Sequence, residues 1–295
     1  MNLKELTWPV RIYWDLPREA ADAARLQAIA REILELKVLF LSLRDDVVPV
    51  SPSCFSLVDS FAGKNIALAL TVAGEALSAR VLERASAGAV RTVLANVTSL
   101  EAMRRIADQG LFSAARRPGI SFDITSGNYR EIPEVVSFCL EHAVTDLVFP
   151  IQRLSGKEAP FCFTDKERSE LAPRLSALAY RSLKLTIHDP FLWPLFYPEK
   201  DYHEGGCQAA NSMLFIAPDL AVTPCPAMPM ILGNLGDTSL REIVLSDAKK
   251  ELRRILQEPP DACSACKHAR VCLGGCRGRA LAATRSLIER DPACR

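Results

Sequence analysis

Short runs of β-branched and aromatic residues recur along the first half of the chain at nearly constant spacing. They begin about 26 to 28 residues apart, at Val10, Val38, Ile66, Thr92, Ile120 and Leu147. Between them, apolar residues at intervals of three or four predict helices over 21–36, 75–85, 100–107 and 131–142. Strands alternating with helices at this period predict parallel strands joined by crossover helices.

A seventh run, Leu183 to Ile187, extends the series. Seven such units favour a partial or complete (β/α) barrel, with a doubly wound sheet as the alternative. In a barrel, functional side chains belong at the carboxyl ends of the strands. After Ile187 the periodicity stops in a segment rich in proline and aromatic residues, so we predict three parts: a barrel over 1–190, a linker over 191–206 and a small domain over 207–295.

The small domain has its own predicted elements. Met213 to Ile216 and a second run before Cys225 predict a hairpin around Pro218 and Asp219. Ser239, with glutamate three residues later, predicts a capped helix to about Leu256. A last helix is predicted over 280–290.

Composition excludes several classes of function. The chain has 36 basic and 35 acidic residues in scattered positions, so no single-sign field predicts a nucleic acid or an anionic membrane as partner. No apolar run reaches the roughly 18 residues that span a bilayer, and the amino-terminal sequence lacks the pattern of a signal peptide. We expect a cytoplasmic protein, in which clustered cysteines favour metal ligation over disulfides.

Seven of the ten cysteines lie in the last 89 residues. Their order is Cys207, Cys225, then Cys263-x2-Cys266-x5-Cys272-x3-Cys276, and Cys294. Thiolates at such short spacings can converge on a metal ion or an iron–sulfur cluster. Four of them could hold one structural zinc ion, but seven suit two cubane clusters better.

This pattern resembles the SPASM domain, the auxiliary-cluster domain of many radical S-adenosylmethionine enzymes. All seven cysteines match the family pattern, whereas Leu220 stands where the family has glycine, so the hairpin turn is expected to differ in shape. More weakly, residues 124–151, with Asn128, resemble a strand–helix–strand of the same enzymes. The fold implied is a partial radical-enzyme-like (β/α) barrel followed by a small iron–sulfur domain of a hairpin and helices.

The resemblance implies two [4Fe-4S] clusters and a partition of their ligands. One cluster takes Cys263, Cys266, Cys272 and Cys294, and the other takes Cys207, Cys225 and Cys276. Asp201, His203, Glu204, water or a substrate could complete the three-cysteine cluster. Basic residues surround the array, where they either offset cluster charge or form a solvated turn: Lys267, His268, Arg270, Arg277 and Arg279.

The parts that initiate radical chemistry in this family have no counterpart here. The family's C-x3-C-x2-C loop follows the first strand, but the first cysteine of this chain is Cys54, and Pro17 predicts that a helix begins directly after the strand. The family's Gly-Gly-Glu-Pro motif follows the second strand, where this chain has bulky and charged residues over 41–46. S-adenosylmethionine is therefore not expected as a cosubstrate.

Three hypotheses follow. The leading one is a non-initiating homologue that transfers electrons to, or presents a precursor peptide to, a catalytically complete radical enzyme. The second is an enzyme that uses an open iron of the three-cysteine cluster on a substrate in the barrel mouth, with Asp15, Asp45 or Asp123 as candidate participants. The third is a purely structural metal domain. The remaining cysteines, Cys54, Cys139 and Cys162, are interpreted as buried thiols.

Overall fold

A computed structural model describes residues 5–18, 22–114, 117–157, 159–200 and 206–294. Within these residues, ten strands form one sheet. The strands are β1 Arg11–Asp15, β2 Phe40–Asp45, β3 Ala67–Ala73, β4 Val90–Val97, β5 Gly119–Phe122, β6 Asp146–Phe149, β7 Lys184–Ile187, β8 Met213–Ile216, β9 Ala221–Thr223 and β10 Gly233–Asn234.

The order of the strands decides between the two predicted architectures. Strands β1 to β7 pair in chain order and all seven are parallel. A doubly wound sheet would reverse its order at a switch point, and this sheet does not. Since β8 pairs with the other side of β1 and β7 lies at the far edge, the cylinder stays open. The prediction of a partial barrel is therefore confirmed.

The hairpin of the small domain belongs to the same sheet. Strand β8 runs parallel to β1, with Arg11 opposite Met213, and β9 and β10 add two antiparallel strands outside it. The sheet thus continues across the predicted boundary at residue 207, which stays a prediction. Leu220 in the hairpin has φ +65°, the left-handed conformation that glycine adopts most readily.

Helices follow most of the parallel strands, and further helices lie in the tail that holds the cysteine array. The first seven are α1 Ala23–Glu35, α2 Pro52–Ser60, α3 Ala79–Ala87, α4 Leu100–Asp108, α5 Ile132–Glu141, α6 Asp165–Ser176 and α7 Trp193–Phe196. The tail contributes α8 Leu240–Leu245, α9 Asp247–Gln257, α10 Ala269–Cys272 and α11 Arg277–Thr284. In the described part of the chain, no helix is long and apolar enough to span a membrane.

The two faces of the parallel sheet differ in character. In β3, Leu68, Leu70 and Val72 are fully buried in the main core, whereas Ala69 and Thr71 point to the other face and line a cavity. Closed barrels usually fill their interior with layers of bulky branched residues. Because small and polar residues occupy this face instead, the half-barrel encloses a hollow.

Several helix boundaries differ from the predictions. Helix α1 begins at Ala23, where Asp22 accepts a hydrogen bond from the Ala24 amide, so the prediction of a helix starting near Pro17 is wrong. The helix expected to reach Leu256 is interrupted at Ser246, whose side chain caps α9. The last helix spans Arg277–Thr284 rather than 280–290, because Arg285 has a left-handed backbone conformation. Helices α2 and α6 were not predicted.

Asn128 joins the ends of two central strands. Its amide donates to the carbonyl oxygens of Thr98 and Asp123, each at 2.9 Å, and its carbonyl oxygen accepts from the Thr125 amide at 2.7 Å. The side chain is buried. We expect Asn128→Ala to lower the free energy of unfolding by about 2 to 4 kcal/mol, because the substitution leaves buried backbone groups unpaired.

Chemical denaturation measures this change. Ser126→Ala is the control, since Ser126 is an exposed residue of the same loop. Equal stability of the two variants would contradict the assigned role of Asn128.

Candidate metal centre and barrel mouth

Three cysteines approach one another where the hairpin meets α11. The Ala210 amide donates to the Pro224 carbonyl oxygen at 3.0 Å, which ties the segment of Cys207 to that of Cys225. Cys276 is the residue that caps the start of α11. Gly278 lets this helix approach the turn after Cys225, since a Cβ there would lie 2.5 Å from the Ala227 carbonyl oxygen.

The three thiols influence one another electrostatically. Burial raises the pKa of Cys225 well above its usual value, and the neighbouring Cys207 and Cys276 raise it further. Burial likewise raises the pKa of Cys276 to about 12, although the positive charge of Arg279 opposes it. Such buried thiols ionise only when positive charge, such as that of a metal, compensates them.

The other four cysteines form a second group at the end of the chain. The Cys266 amide donates to the Cys263 carbonyl oxygen at 2.9 Å, and the side chain of Cys266 is exposed. Burial raises the pKa of Cys263, and Cys294 and Cys266 add to the increase. Burial also raises the pKa of Cys272. Hydrogen bonds from backbone amides oppose this increase, whereas Cys294 and Cys263 add to it.

Backbone amides donate to sulfur atoms in both groups. Leu273, Gly274 and Gly275 have φ values of +50°, +90° and +70°, and this turn directs the two glycine amides to Cys272. In the first group, the Arg279 amide lies 3.4 Å from the Cys276 sulfur. Hydrogen bonds to sulfur stabilise thiolates and raise the reduction potential of iron–sulfur clusters.

Arg277 lies between the two groups. Its side chain is 1% exposed and donates to the carbonyl oxygens of Glu258, Leu273 and Leu287. Within the described residues, its Nε has no hydrogen-bond partner and no carboxylate pairs with the guanidinium. Burial lowers the pKa of Arg277, and the thiols of Cys207 and Cys263 raise it. A buried cation without a counter-ion is strongly destabilising. Two anionic clusters on either side would supply that counter-charge, so the residues present fit them.

Asp291 and Arg279 connect the groups through a buried ion pair. Arg279 donates to both carboxylate oxygens of Asp291, at 2.8 and 2.7 Å, and also to Asp189 beyond β7. Asp291 in turn accepts from the amides of Cys276 and Ala293, at 2.7 and 3.0 Å. One carboxylate thus positions the backbone beside Cys276 and beside Cys294.

No three His, Cys, Asp or Glu side chains of the described residues lie close enough together to hold a single metal ion. A tetrahedral zinc ion with sulfur ligands brings them within about 3.8 Å of one another. A cubane cluster binds each thiolate on a different iron and therefore separates them more widely. Asp201, His203 and Glu204, the predicted candidates for the fourth position, lie outside the described residues.

Ion pairs hold the carboxyl ends of the strands. Arg44 donates through Nε to both oxygens of Asp46, at 2.8 and 2.9 Å, and through Nη2 to Asp123 at 3.2 Å. Asp15 pairs with Arg153, whose Nη2 lies 2.9 Å from it. Of the three carboxylates predicted as participants, Asp15 and Asp123 face the mouth. Asp45 is fully buried and accepts three hydrogen bonds from residues 47–51. It lines neither the mouth cavity nor the cavity inside the half-barrel.

A cavity of about 700 Å³ opens at this mouth. It reaches from Arg44 and Asp123 to Cys276 and Arg279, so the three-cysteine group borders it. Cys162 also lines the cavity and is half-buried, unlike the buried thiol that was predicted. Burial raises the pKa of Cys54 and of Cys139, which are buried as expected.

Comparison with known proteins agrees with this geometry. Residues 207–267 match the family model of SPASM, an iron–sulfur cluster-binding domain. The full fold superposes on Streptococcus suis SuiB bound to its precursor peptide SuiA with a TM-score of 0.74, at 15% identity, covering 99% of this chain and 77% of SuiB. Residues 207–267 therefore form a SPASM domain, and the fold of the chain is that of the radical S-adenosylmethionine/SPASM enzymes.

Two curated relatives of this chain align over part of its length. The PqqA peptide cyclase of Ruegeria pomeroyi is 33% identical over 136 residues, or 44% of this chain. The AdoMet-dependent heme synthase of Methanosarcina barkeri is 34% identical over 92 residues, or 30% of this chain. The aligned segments span only 35% and 25% of these relatives. SuiB has also been solved bound to S-adenosylmethionine, with a TM-score of 0.71 and 16% identity, covering 98% of this chain and 78% of SuiB.

The basic residues of the SPASM domain separate into two kinds. Lys267, His268 and Arg270 are exposed, as a solvated turn predicts. Arg277 and Arg279 are buried, at 1% and 2% exposure. Composition alone does not distinguish these two buried arginines from the exposed basic residues. Asp291 and Arg153 were not identified from the sequence, because each gains its role from a partner more than ten residues away.

His188 supplies a test of the barrel interior. Burial, with the positive charges of Arg11 and Arg153, lowers the pKa of His188 from 6.5 to about 4. Between these values the unfolded chain binds the proton that the folded chain does not, so the free energy of unfolding falls as the pH drops through this window. We expect His188→Gln to lose less stability there than the wild type, as measured by chemical denaturation.

The exposed His142 provides the matched control. His142→Gln should keep the pH dependence of the wild type. A wild-type slope retained in His188→Gln would show that His188 is not the group responsible.

Proposed function

We propose that this chain binds two [4Fe-4S] clusters and serves as a non-initiating partner of a complete radical enzyme in the modification of a peptide. The observation that carries the proposal is the arrangement of seven thiols as two groups beside a barrel mouth held by ion pairs. When bound, the clusters would supply one-electron transfer. Cysteines that bind clusters instead of forming disulfides fit a reducing compartment such as the cytoplasm.

The proposed ligand sets are supported by which thiols raise one another's pKa. Cys207, Cys225 and Cys276 would hold one cluster, and Cys263, Cys266, Cys272 and Cys294 the other. The amide donors to sulfur and the uncompensated Arg277 support clusters with net negative charge. The exposed Cys266 and the cavity-lining Cys276 place one group near the surface and the other near the barrel, which suits a path for electrons between them.

The mouth supports a role without radical initiation. No cysteine precedes Cys54, so the connection after β1 has no thiolate for a primary cluster. After β2, the Arg44 guanidinium occupies the mouth together with Asp46 and Asp123. A backbone segment that binds a cosubstrate must approach it closely, which glycine permits because it has no side chain. The side chains of Arg44, Asp46 and Asp123 leave no room for such an approach.

A peptide is the substrate class that the comparisons favour. One relative is named for its action on the PqqA peptide, and SuiB has been solved with its precursor peptide. The mouth cavity offers carboxylates, guanidinium groups and the ring of Phe161 to such a chain.

A second candidate rests on the position of Cys276. Because this thiol borders the mouth cavity, a three-cysteine cluster there could present its open iron to a bound substrate. The chain would then be an enzyme with Asp123 and Asp189 near the substrate. Turnover of a substrate without any partner enzyme distinguishes this function from the first.

Metal analysis of the anaerobically purified protein tests the clusters. We expect about eight irons and eight sulfides per chain. Cys225→Ala/Cys276→Ala and Cys263→Ala/Cys266→Ala should each lose about half of both, because each removes ligands of one group, while Cys139→Ala keeps the full amount. About one zinc without sulfide, or loss of all iron in one double variant only, would contradict the proposed ligand sets.

Incubation with S-adenosylmethionine and a strong reductant tests the absence of initiation. We expect no 5′-deoxyadenosine from this chain alone, because no cysteine lies between β1 and Cys54 to bind a primary cluster. A complete radical SPASM enzyme treated in the same way serves as the positive control. Catalytic formation of 5′-deoxyadenosine by the purified chain would overturn the non-initiating role.

A further inference from the structure

A second cavity of about 390 Å³ lies inside the half-barrel, below the mouth and toward the strand starts. Residues of all seven parallel strands line it, from Arg11 and Tyr13 in β1 to Lys184 and Thr186 in β7. Its volume lies within the roughly 300 to 1,000 Å³ of small-molecule sites. The proposed cluster function makes no use of this space.

The lining is rich in hydroxyl groups that the protein does not satisfy. Five such side chains come from five strands, and within the described residues none of their hydroxyls has a hydrogen-bond partner. They are Ser42, Thr71, Thr92, Ser121 and Thr186. These hydroxyls face the cavity and are not engaged by other groups of the described residues, so they are available to donate to and accept from a polar ligand.

At the end of the cavity near the strand starts, some basic side chains of the lining have no acidic partner among the described residues. Arg44, Arg153 and Lys184 pair with carboxylates. Arg11 and Arg91, by contrast, have no acidic partner in the described chain. Two cations thus remain uncompensated where the strands begin.

Arg11 is held in place by aromatic neighbours. Its guanidinium lies 5.2 Å from the centre of the Phe40 ring, and Nη1 donates to the Tyr13 hydroxyl at 3.3 Å. Tyr13 is itself fixed by His188, whose Nε2 lies 3.4 Å from the same hydroxyl. These contacts orient the guanidinium and leave its other N–H groups without acceptors among the described residues. A fixed guanidinium with unused donors suits a carboxylate or a phosphate.

We propose that this cavity binds a small molecule carrying a carboxylate or phosphate group. The anionic group lies against Arg11 and Arg91, and the five hydroxyls bind the rest of the molecule. Entry is from the strand starts, where Phe40 is 41% exposed and Lys184 is also exposed. No cysteine lines this cavity, so the proposal does not depend on the proposed cluster function.

Isothermal titration calorimetry on the full, anaerobically purified chain tests the site at constant ionic strength. The probes are inorganic phosphate and malonate, with glycerol as the neutral comparison. We expect saturable binding of at least one oxyanion and none of glycerol. Arg11→Gln should weaken that binding at least tenfold, because it removes a charge-assisted fork of hydrogen bonds. Arg91→Gln, at a more exposed position, should weaken it less.

Arg104→Gln is the matched control, because Arg104 is an exposed arginine of α4 outside the cavity and the substitution changes net charge equally. It should bind as the wild type does. Binding of phosphate alone or malonate alone identifies which oxyanion the site takes. If Arg11→Gln does not fold, Arg91→Gln and Thr92→Val still report on the end near the strand starts and on the hydroxyl groups. Absence of oxyanion binding by the wild type, or unchanged binding in every foldable cavity variant, would overturn the proposal.

Discussion

The buried pair of Asp291 and Arg279 connects the two cysteine groups to each other and to the end of β7. Its carboxylate accepts from the backbone at Cys276 and Ala293, and its guanidinium reaches Asp189 at the end of β7. A buried pair contributes little net stability, but losing one partner costs about 3 to 5 kcal/mol because a charge remains buried alone. The position of both cysteine groups relative to the barrel therefore depends on keeping this pair intact.

Much of the fold could be predicted because it depends on local sequence. The apolar runs at Val10, Val38 and Ile66 have a regular period, and each became a parallel strand of the barrel. The hollow interior was also present in the sequence, as the alternation of alanine or threonine with leucine or valine in β3. A short apolar run by itself indicates only a buried strand and does not show which face borders a cavity.

The rest could not be predicted because it depends on long-range pairing. The sequence places Arg277 and Arg279 in the same basic segment as Lys267, and only the fold buries the first two. Arg44 appeared only as a bulky residue in place of glycine, whereas its partner Asp123 lies 79 residues further along the chain. The ligand sets of the two clusters remain a prediction from the cysteine pattern.

The pairing of β8 with β1 has a mechanical consequence. A domain attached through a flexible linker can swing, so the distance between its centre and a neighbouring cavity varies with time. Here a continuous ladder of backbone hydrogen bonds runs from the barrel into the hairpin that leads to Cys225. A displacement of the barrel wall therefore also moves the cysteine groups, because the ladder couples them. A partner that docks on either side finds the cysteine groups at a fixed distance from the barrel.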